Sequence, residues 1–372
     1  MDGHWGFTNA PTAEGRMAVD VVRLDGSDLD EWNALLERSP QATPFHLLEA
    51  LRVAEDHSGT TLHPLVGYKG EEPVGLFPIF EQRRGPLTFA FSPPPNLFVD
   101  YLGPALVDPS NLKRRKRDKR NKRFVDACFE WAEDEFGPKY VNVRSGFQYQ
   151  DPRPFVWKEF DVETKYTYTI DLDDGVDEIR DAFSGDARRR IRAVRDADHD
   201  VDVSVGDDGA ARRIVDHLAE RLDSMGVSRH VPPEFVVDLY DRLPDGTVRP
   251  YVCRLDGEFV GGILTLESHD TVYAWQGGAK PDAPIDLNEY IDWRIIQDGI
   301  DRGNSCYDIV GAESPRLCWY KAKFGPDLQS YHVATRSSTP VTALSELYKR
   351  VRDGTAGIGL EAPSAVSGVF SR

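Results

Sequence analysis

Apolar and polar positions alternate in short blocks along the first half of the chain. "AVDVVRL" at 18–24 predicts a strand. "SDLDEWNALLERS" spaces Trp32, Leu35 and Leu36 as one helical face, with Ser27 or Asp28 as the cap. "PFHLLEALRVAEDHSG" predicts a second helix stopped by Gly59. The stretch 62–93 alternates strand and turn, with Lys69-Gly70 marking a hairpin. A charged helix over 111–136, the strand "YVNVR" and a strand over 165–172 follow.

The second half repeats the rhythm. A helix is predicted over 176–198, then the strand "VDVSV", then helices over 209–225 and 233–243. Strands at "PYVCRL", "FVGGILTLE" and "TVYAWQGGA" form a meander turned at Asp256-Gly257 and His269-Asp270. A helix over 287–302 has Asp286 as its cap, Glu289 completing a capping box and Gly303 past its end. The strand "CYDIVGA", a helix over 315–323, the strand "SYHVATR" and a helix over 340–352 close the pattern. The common order of elements predicts an α/β (α+β) chain of two tandem units, at 18–162 and 163–353. Each is a mixed, mostly antiparallel sheet flanked by helices. The Gly/Ala/Ser/Pro-rich ends, 1–17 and 354–372, are expected to be flexible.

Composition narrows the function. The chain has 372 residues, 40% of them hydrophobic, which suits two domains of ordinary size. A formal net charge of −17 argues against a general polyanion binder and resembles proteins of salt-adapted cytoplasms. The exception is "KRRKRDKRNKR" at 113–123. There Lys113, Arg114, Arg115, Lys116 and Arg117 suit nucleic acid, an anionic surface or a phosphorylated substrate. A solvated helix face balancing the following "EWAEDEF" is the alternative. Cys128, Cys253, Cys306 and Cys318 form no C-x-x-C pair, so thiols in a reducing compartment are expected and no metal site is. With no signal pattern at the N-terminus and no long apolar run, a cytoplasmic protein without a membrane span is expected.

Three stretches bear on chemistry. "ARRRIRAVRDADHDVDV" at 187–203 puts Arg188, Arg192 and Arg195 on one helix face, a row suited to phosphate or carboxylate; intrahelical pairing is the other reading. "FVGGILTLESHDTVYAWQGGAKP" places Gly261 and Gly262 inside a strand, which predicts a bulge or a close backbone approach; Tyr273, Trp275 and Gln276 follow. "YDIVGA" then leads to "CWYKAKFG", with Asp308 at a strand end and Tyr320, Lys321 and Phe324-Gly325 beyond it. Lys323 falls on another helix face and is expected at the surface. His230 reads as a cap or surface residue.

These stretches resemble the FemAB-type peptidoglycan-bridge aminoacyltransferases, a family of two tandem GNAT-like domains. The resemblance implies acyl transfer to an amine. Asp308 would orient or deprotonate the amine, Lys321 and the arginine row would stabilise negative charge, and Tyr273 would position the acyl group. Arg188, Arg192, Arg195, Trp275, Gln276 and Tyr320 would bind substrate. Two departures stand out. Val310-Gly311-Ala312 replaces the family's Gly-Gly, and no Arg/Gln-x-x-Gly-x-Gly/Ala loop precedes the helix at 287. Asp282, Asp286 and Glu289 there would repel a pyrophosphate. The implied donor is therefore an aminoacyl-tRNA, with acyl-CoA as the alternative, and no cofactor is held permanently. The implied acceptor is an amine-bearing envelope or glycan-linked precursor, and tRNA is a candidate partner. A coenzyme-A-dependent N-acetyltransferase and a non-catalytic binding protein on the same fold are the rival readings.

Overall fold

The computed structural model describes residues 18–25, 29–227, 229–268, 270–280, 282–312 and 314–338. The first half comprises β1 (Asp20–Arg23), α1 (Leu29–Leu36), α2 (Leu48–Ser58), β2 (Thr61–Lys69), β3 (Glu72–Arg84), β4 (Leu87–Ser92), β5 (Ala105–Leu106), α3 (Arg114–Glu135), β6 (Tyr140–Arg144) and α4 (Arg153–Trp157). There follow β7 (Asp161–Asp171), α5 (Val176–Ala182), α6 (Gly185–Asp196), β8 (Val201–Val205), α7 (Asp208–Ser224) and α8 (Pro233–Arg242). The chain continues through β9 (Val248–Leu255), β10 (Glu258–Glu267), β11 (Thr271–Ala279), α9 (Asn288–Arg302), β12 (Cys306–Asp308), α10 (Pro315–Lys321) and β13 (Asp327–Ser337).

The strands form one sheet in the order β1-β2-β3-β4-β6-β13-β7-β12-β11-β10-β9-β8, with β5 paired to β3 off this path. Read from its ends, the order is symmetric. Each half contributes an antiparallel run of four strands and a fifth strand parallel to the fourth: β4 with β6, and β11 with β12. Between them lie β7 and β13, an antiparallel pair that also bonds β12 on one side and β6 on the other. β7, whose start at Asp161 lies in the stretch 160–165 where the sequence suggests a junction, bonds β12 and β13.

Three apolar clusters fill the layers. One lies beneath α3, with Phe77, Phe124 and Phe129. A second lies beneath α5, α6 and α9, with Phe183, Trp293 and Phe324. The third crosses between the halves and joins Trp32, Leu51 and Phe80 to Phe235, Leu264 and Trp275. Full burial of such side chains stabilises by roughly 1.5–3 kcal/mol each. α2 packs on α8, where His57 meets Asp238 at 2.7 Å and Arg242 meets Asp56 at 2.7 Å.

Several local expectations are met by specific chemistry. Asp256 and Gly257 both adopt positive φ in the β9–β10 turn, as a tight hairpin with the strands' twist requires. Gly261 sits at a register shift with φ +139°, and a Cβ there would lie 2.5 Å from the Gly278 carbonyl. Gly325 is left-handed at φ 64°, and its added Cβ would lie 2.6 Å from the Ala182 carbonyl. The Phe-Gly pair is thus a packing device: Phe324 packs on Phe183 at 5.2 Å, and glycine lets the chain pass α5.

Other expectations differ. The helix over 176–198 is two helices, because Ser184 leaves helical backbone and accepts from Ala187 N at 3.1 Å to cap α6. α9 starts at Asn288 without a side-chain cap, and Glu289 is buried in ion pairs instead of closing a capping box. Ser27, Asp28, His269, the helix over 340–352 and both chain ends lie outside the described residues. Among the described residues, no helix is long and apolar enough to cross a membrane.

Candidate active site

β11 and β12 run parallel for only three residue pairs, ending at Tyr273 opposite Asp308. Past that point the strands part. β11 continues to Ala279, while the other chain turns away at Val310 and Gly311. The register of β11 against β10 shifts between Leu264 and Thr265, which leaves Trp275 as an extra residue on β11. A bulge beside a strand that has lost its neighbour leaves backbone groups unpaired and re-aims side chains.

Asp308 is fully buried at this fork. Its Oδ1 accepts from Thr167 Oγ1 at 2.6 Å and from Val310 N at 2.9 Å, while Oδ2 has no hydrogen-bond partner. Burial pushes the carboxyl up from 3.8 to about 7, against the pull of Thr167 and the Val310 amide; the Asp100 charge adds to the rise and Lys321 opposes it. Tyr273, also buried, accepts from Gln148 Nε2 at 3.1 Å, so its own hydroxyl hydrogen is uncommitted. Burial holds its phenol well above the ordinary range. The Tyr101 ring lies 6.4 Å from that of Tyr273, and its buried hydroxyl, close to Thr167, makes no well-formed hydrogen bond. Gln148 Oε1 is a third orphan. Buried polar atoms without partners are uncommon in folded proteins, and their clustering around one tyrosine marks a place built for another molecule.

Lys321 is buried and does not point to bulk water. Its ammonium donates to the carbonyls of Val310 and, at 2.6 Å, Gly311. Burial lowers its pKa, while the charges of Asp308, Asp292 and Asp100 resist that lowering. Gly311 N in turn donates to Thr167 Oγ1 at 3.2 Å. Val310 has φ +33°, costly for a β-branched residue. Lys321, Asp308 and Thr167 together hold this strained turn.

A narrow cleft with a free volume of about 10 Å³, room for about one water, adjoins the fork. The first half supplies Phe45, Asp100 and Tyr101 to it, and the second half supplies Tyr273, Trp275 and Val310. Trp275 Nε1 donates to the Phe98 carbonyl at 2.8 Å, and its ring meets Phe45 edge-on at 5.3 Å. The site thus lies between the halves.

The other predicted residues are placed as follows. Gln276 is half-buried on β11, beside Trp275. Tyr320 donates to Asp292 Oδ2 at 2.9 Å, and Tyr307 to Oδ1 at 2.6 Å; burial raises Asp292 from 3.8 to about 6. Arg188 donates to the Asp181 carbonyl at 2.7 Å, whereas Arg192 and Arg195 are exposed. Lys323, expected at the surface, is partly buried and ion-paired to Glu289 and Asp186, each at 2.9 Å, because the short helical turn at 322–324 swings it under α6. Arg190 meets Asp286 at 2.5 Å and Glu289 at 3.7 Å, so two of the carboxylates expected to repel a pyrophosphate are already neutralised. His230 is half-buried, 4.0 Å from Asp223. Lys113, Arg114, Arg115 and Lys116 are exposed and Arg117 is half-buried at the start of α3. Local motifs missed Thr167, Tyr101, Asp100 and Gln148. The one signal for Thr167 was its inward-facing position in "KYTYTIDL", where the outward positions hold tyrosines.

Residues 182–322 match the family described as the acetyltransferase (GNAT) domain. No curated protein matches the chain. Among solved structures, FemX superposes with a TM-score of 0.65 at 12% identity, covering 84% of this chain and 96% of its own. L-PGS from Bacillus licheniformis gives 0.51 at 14% identity, covering 87% and 96%. A tandem GNAT protein from the clavulanic acid biosynthesis pathway gives 0.50 at 14% identity, covering 86% and 98%. The symmetric sheet and the fork between β11 and β12 thus place this chain, in fold, with the tandem GNAT-like proteins that its motifs resemble, the FemAB-type transferases among them.

Proposed function

We propose that the chain transfers an acyl or aminoacyl group directly from an activated donor to an amine, in the cleft between its halves. The observation that carries this reading is Asp308: a buried carboxyl with a pKa of about 7 and one oxygen without a partner, at the point where β11 and β12 part. An attacking amine must lose a proton as it bonds to the acyl carbon. A base poised near neutrality takes that proton efficiently. As the nitrogen–carbon bond forms, the bond to the donor's thiol sulfur or ribose oxygen breaks. The departing atom takes up a proton from the uncommitted Tyr273 hydroxyl, and Asp308, protonated by the amine, returns one to Tyr273. The backbone freed by the Trp275 bulge offers N–H groups to the developing oxyanion.

Lys321 acts as a positioning residue: with its ammonium on the two carbonyls it keeps the 310–311 turn, and hence Asp308, in place. The exposed Arg192 and Arg195 are available to an anionic part of the donor. The GNAT match and the paired Asp286 and Glu289 favour a coenzyme A thioester as donor; the likeness to FemX keeps an aminoacyl-tRNA as the second. The acceptor is an amine on an envelope or glycan-linked molecule, a choice supported only by the FemAB resemblance.

Labelled acyl-CoA and aminoacyl-tRNA, each offered with a panel of amines, test the reading. Transfer to an amine by the natural chain and a loss of about 10²–10⁴-fold in Asp308→Asn are expected. Undiminished transfer by Asp308→Asn would remove the mechanism.

A further inference from the structure

We infer that Asp292 on α9 is a positioning residue for the proposed transfer: it sets the spacing of Asp308 and Lys321 by holding the tyrosine that precedes each of them. Its part in transfer rests on the proposed function; the clamp itself does not.

Asp308 and Lys321 come from separate elements, β12 and α10, and meet through the 310–311 turn. Asp308 accepts from Val310 N, and Lys321 donates to the carbonyls of Val310 and Gly311. Behind the turn a second link closes the circuit. Tyr307 directly precedes Asp308, and Tyr320 directly precedes Lys321. Both hydroxyls donate to Asp292, Tyr307 to Oδ1 at 2.6 Å and Tyr320 to Oδ2 at 2.9 Å. The ring runs through Asp292, Tyr307, Asp308, Val310, Lys321 and Tyr320, and returns to Asp292.

The clamp has firm footing. Asp292 is 3% exposed, and Tyr307 is fully buried. The Tyr307 backbone lies between Val272 of β11 and Ile170 of β7, so it cannot shift without parting the sheet. Three residues before Asp292, on the same face of α9, Glu289 accepts from Lys323 at 2.9 Å. α9 therefore grips the chain on both sides of Lys321, at Tyr320 and at Lys323. An apolar side chain at 292 could fill the space, but a carboxylate accepts from two phenols at once, and an asparagine keeps one of its two acceptor oxygens. The groups facing Asp292 are Tyr307 from β12, Tyr320 and Lys321 from α10, and Glu289 from α9 itself, which is paired with Lys323 and Arg190. The negative charge of Asp292 supports the buried Lys321 ammonium.

Two measurements on the full chain test this. The first needs no donor or acceptor: brief treatment with acetic anhydride over a pH series, with acetylation of Lys321 read by mass spectrometry. Asp292→Asn should raise that labelling severalfold and move its midpoint to lower pH. Tyr320→Phe keeps the charge and should raise labelling with a smaller shift of midpoint. The second measurement is turnover. A misplacement of about 1 Å can cost on the order of 10²-fold, so Asp292→Asn should lower kcat about tenfold or more and leave the amine KM within about twofold. Tyr307→Phe and Tyr320→Phe keep their rings and should each lower kcat severalfold, and either one combined with Asp292→Asn should lose less than the product of the singles. Tyr251→Phe removes a phenol–carboxylate bond to Asp298, further along α9, and should leave turnover per folded molecule within about twofold. Should Asp292→Asn fail to fold, the two tyrosine variants carry the test. Unchanged labelling of Lys321, an unchanged kcat, strictly multiplicative losses, or an equal loss in Tyr251→Phe would each overturn the inference. Labelling that ignores Asp292 would sink the clamp and leave the reaction standing, whereas labelling as expected in a chain that transfers nothing would count against the reaction alone.

Discussion

The two halves of the sheet share a plan and differ at the fork. In the second half, β11 and β12 part at Tyr273 and Asp308, and no strand or backbone bridge among the described residues closes the gap; a narrow cleft adjoins it. In the first half the matching pair is Ser92 opposite Val143, at the ends of β4 and β6. There the chain fills its own gap. Leu102 bridges to Ser145, its amide bonds the Arg144 carbonyl at 2.9 Å, and Gly103 N donates to Ser92 Oγ at 3.0 Å. The same strand geometry thus carries a hydroxyl and an apolar side chain in the closed notch, and a phenol and a carboxyl at the candidate site. Backbone plan supplies the notch; the side chains at its apex and whether the chain returns through it decide the use.

The sharpest way to break this contrast is a pH profile. Turnover should rise with pH through about 7, as Asp308 loses its proton, and Asp308→Asn should abolish that limb together with most of the activity. Stability should move the other way. An unfolded aspartate releases its proton near 3.8, whereas Asp308 keeps it to about 7 and Asp292 to about 6. The folded chain then binds more protons, so stability should fall as pH climbs from about 4 to about 7, and Asp308→Asn should flatten part of that slope in denaturant titrations.

A smaller effect concerns the strained turn. Lys321→Met leaves two carbonyls without their ammonium and should cost about 1–3 kcal/mol, with turnover falling as Asp308 loses its support. Val310→Gly relieves the positive φ, so the double variant should lose less than the sum of the singles in a double-mutant cycle; strict additivity would detach Lys321 from that turn. Smallest for function is Ser92→Ala. Orphaning Gly103 N should cost about 1–3 kcal/mol in stability and leave turnover per folded molecule within twofold. A large loss of turnover would mean that the first-half notch is not merely structural.

Most elements were legible because their signals are local. Asp256-Gly257 marked its turn, Gly59 its helix end, and the paired glycines of β10 their bulge. Asp308, Lys321 and Tyr273, singled out from sequence, do come together at the fork. The rest was not. Thr167 reaches Asp308 across 141 positions, and Gln148 reaches Tyr273 across 125, through sheet pairings that no local pattern encodes. Lys323 misled for the same reason: helical periodicity placed it at the surface, but the acids that bury it come from α6 and α9.

The central position of β13 has a consequence for synthesis. Of the described strands β13 is made last, so Asp327–Ser337 must slot between β6 and β7 after the other described strands have left the ribosome. Until then β6 and β7 each present a raw edge, and the two lobes are held only by contacts elsewhere. Any nascent fragment that stops short of that segment should be a client for chaperones rather than a half-finished protein.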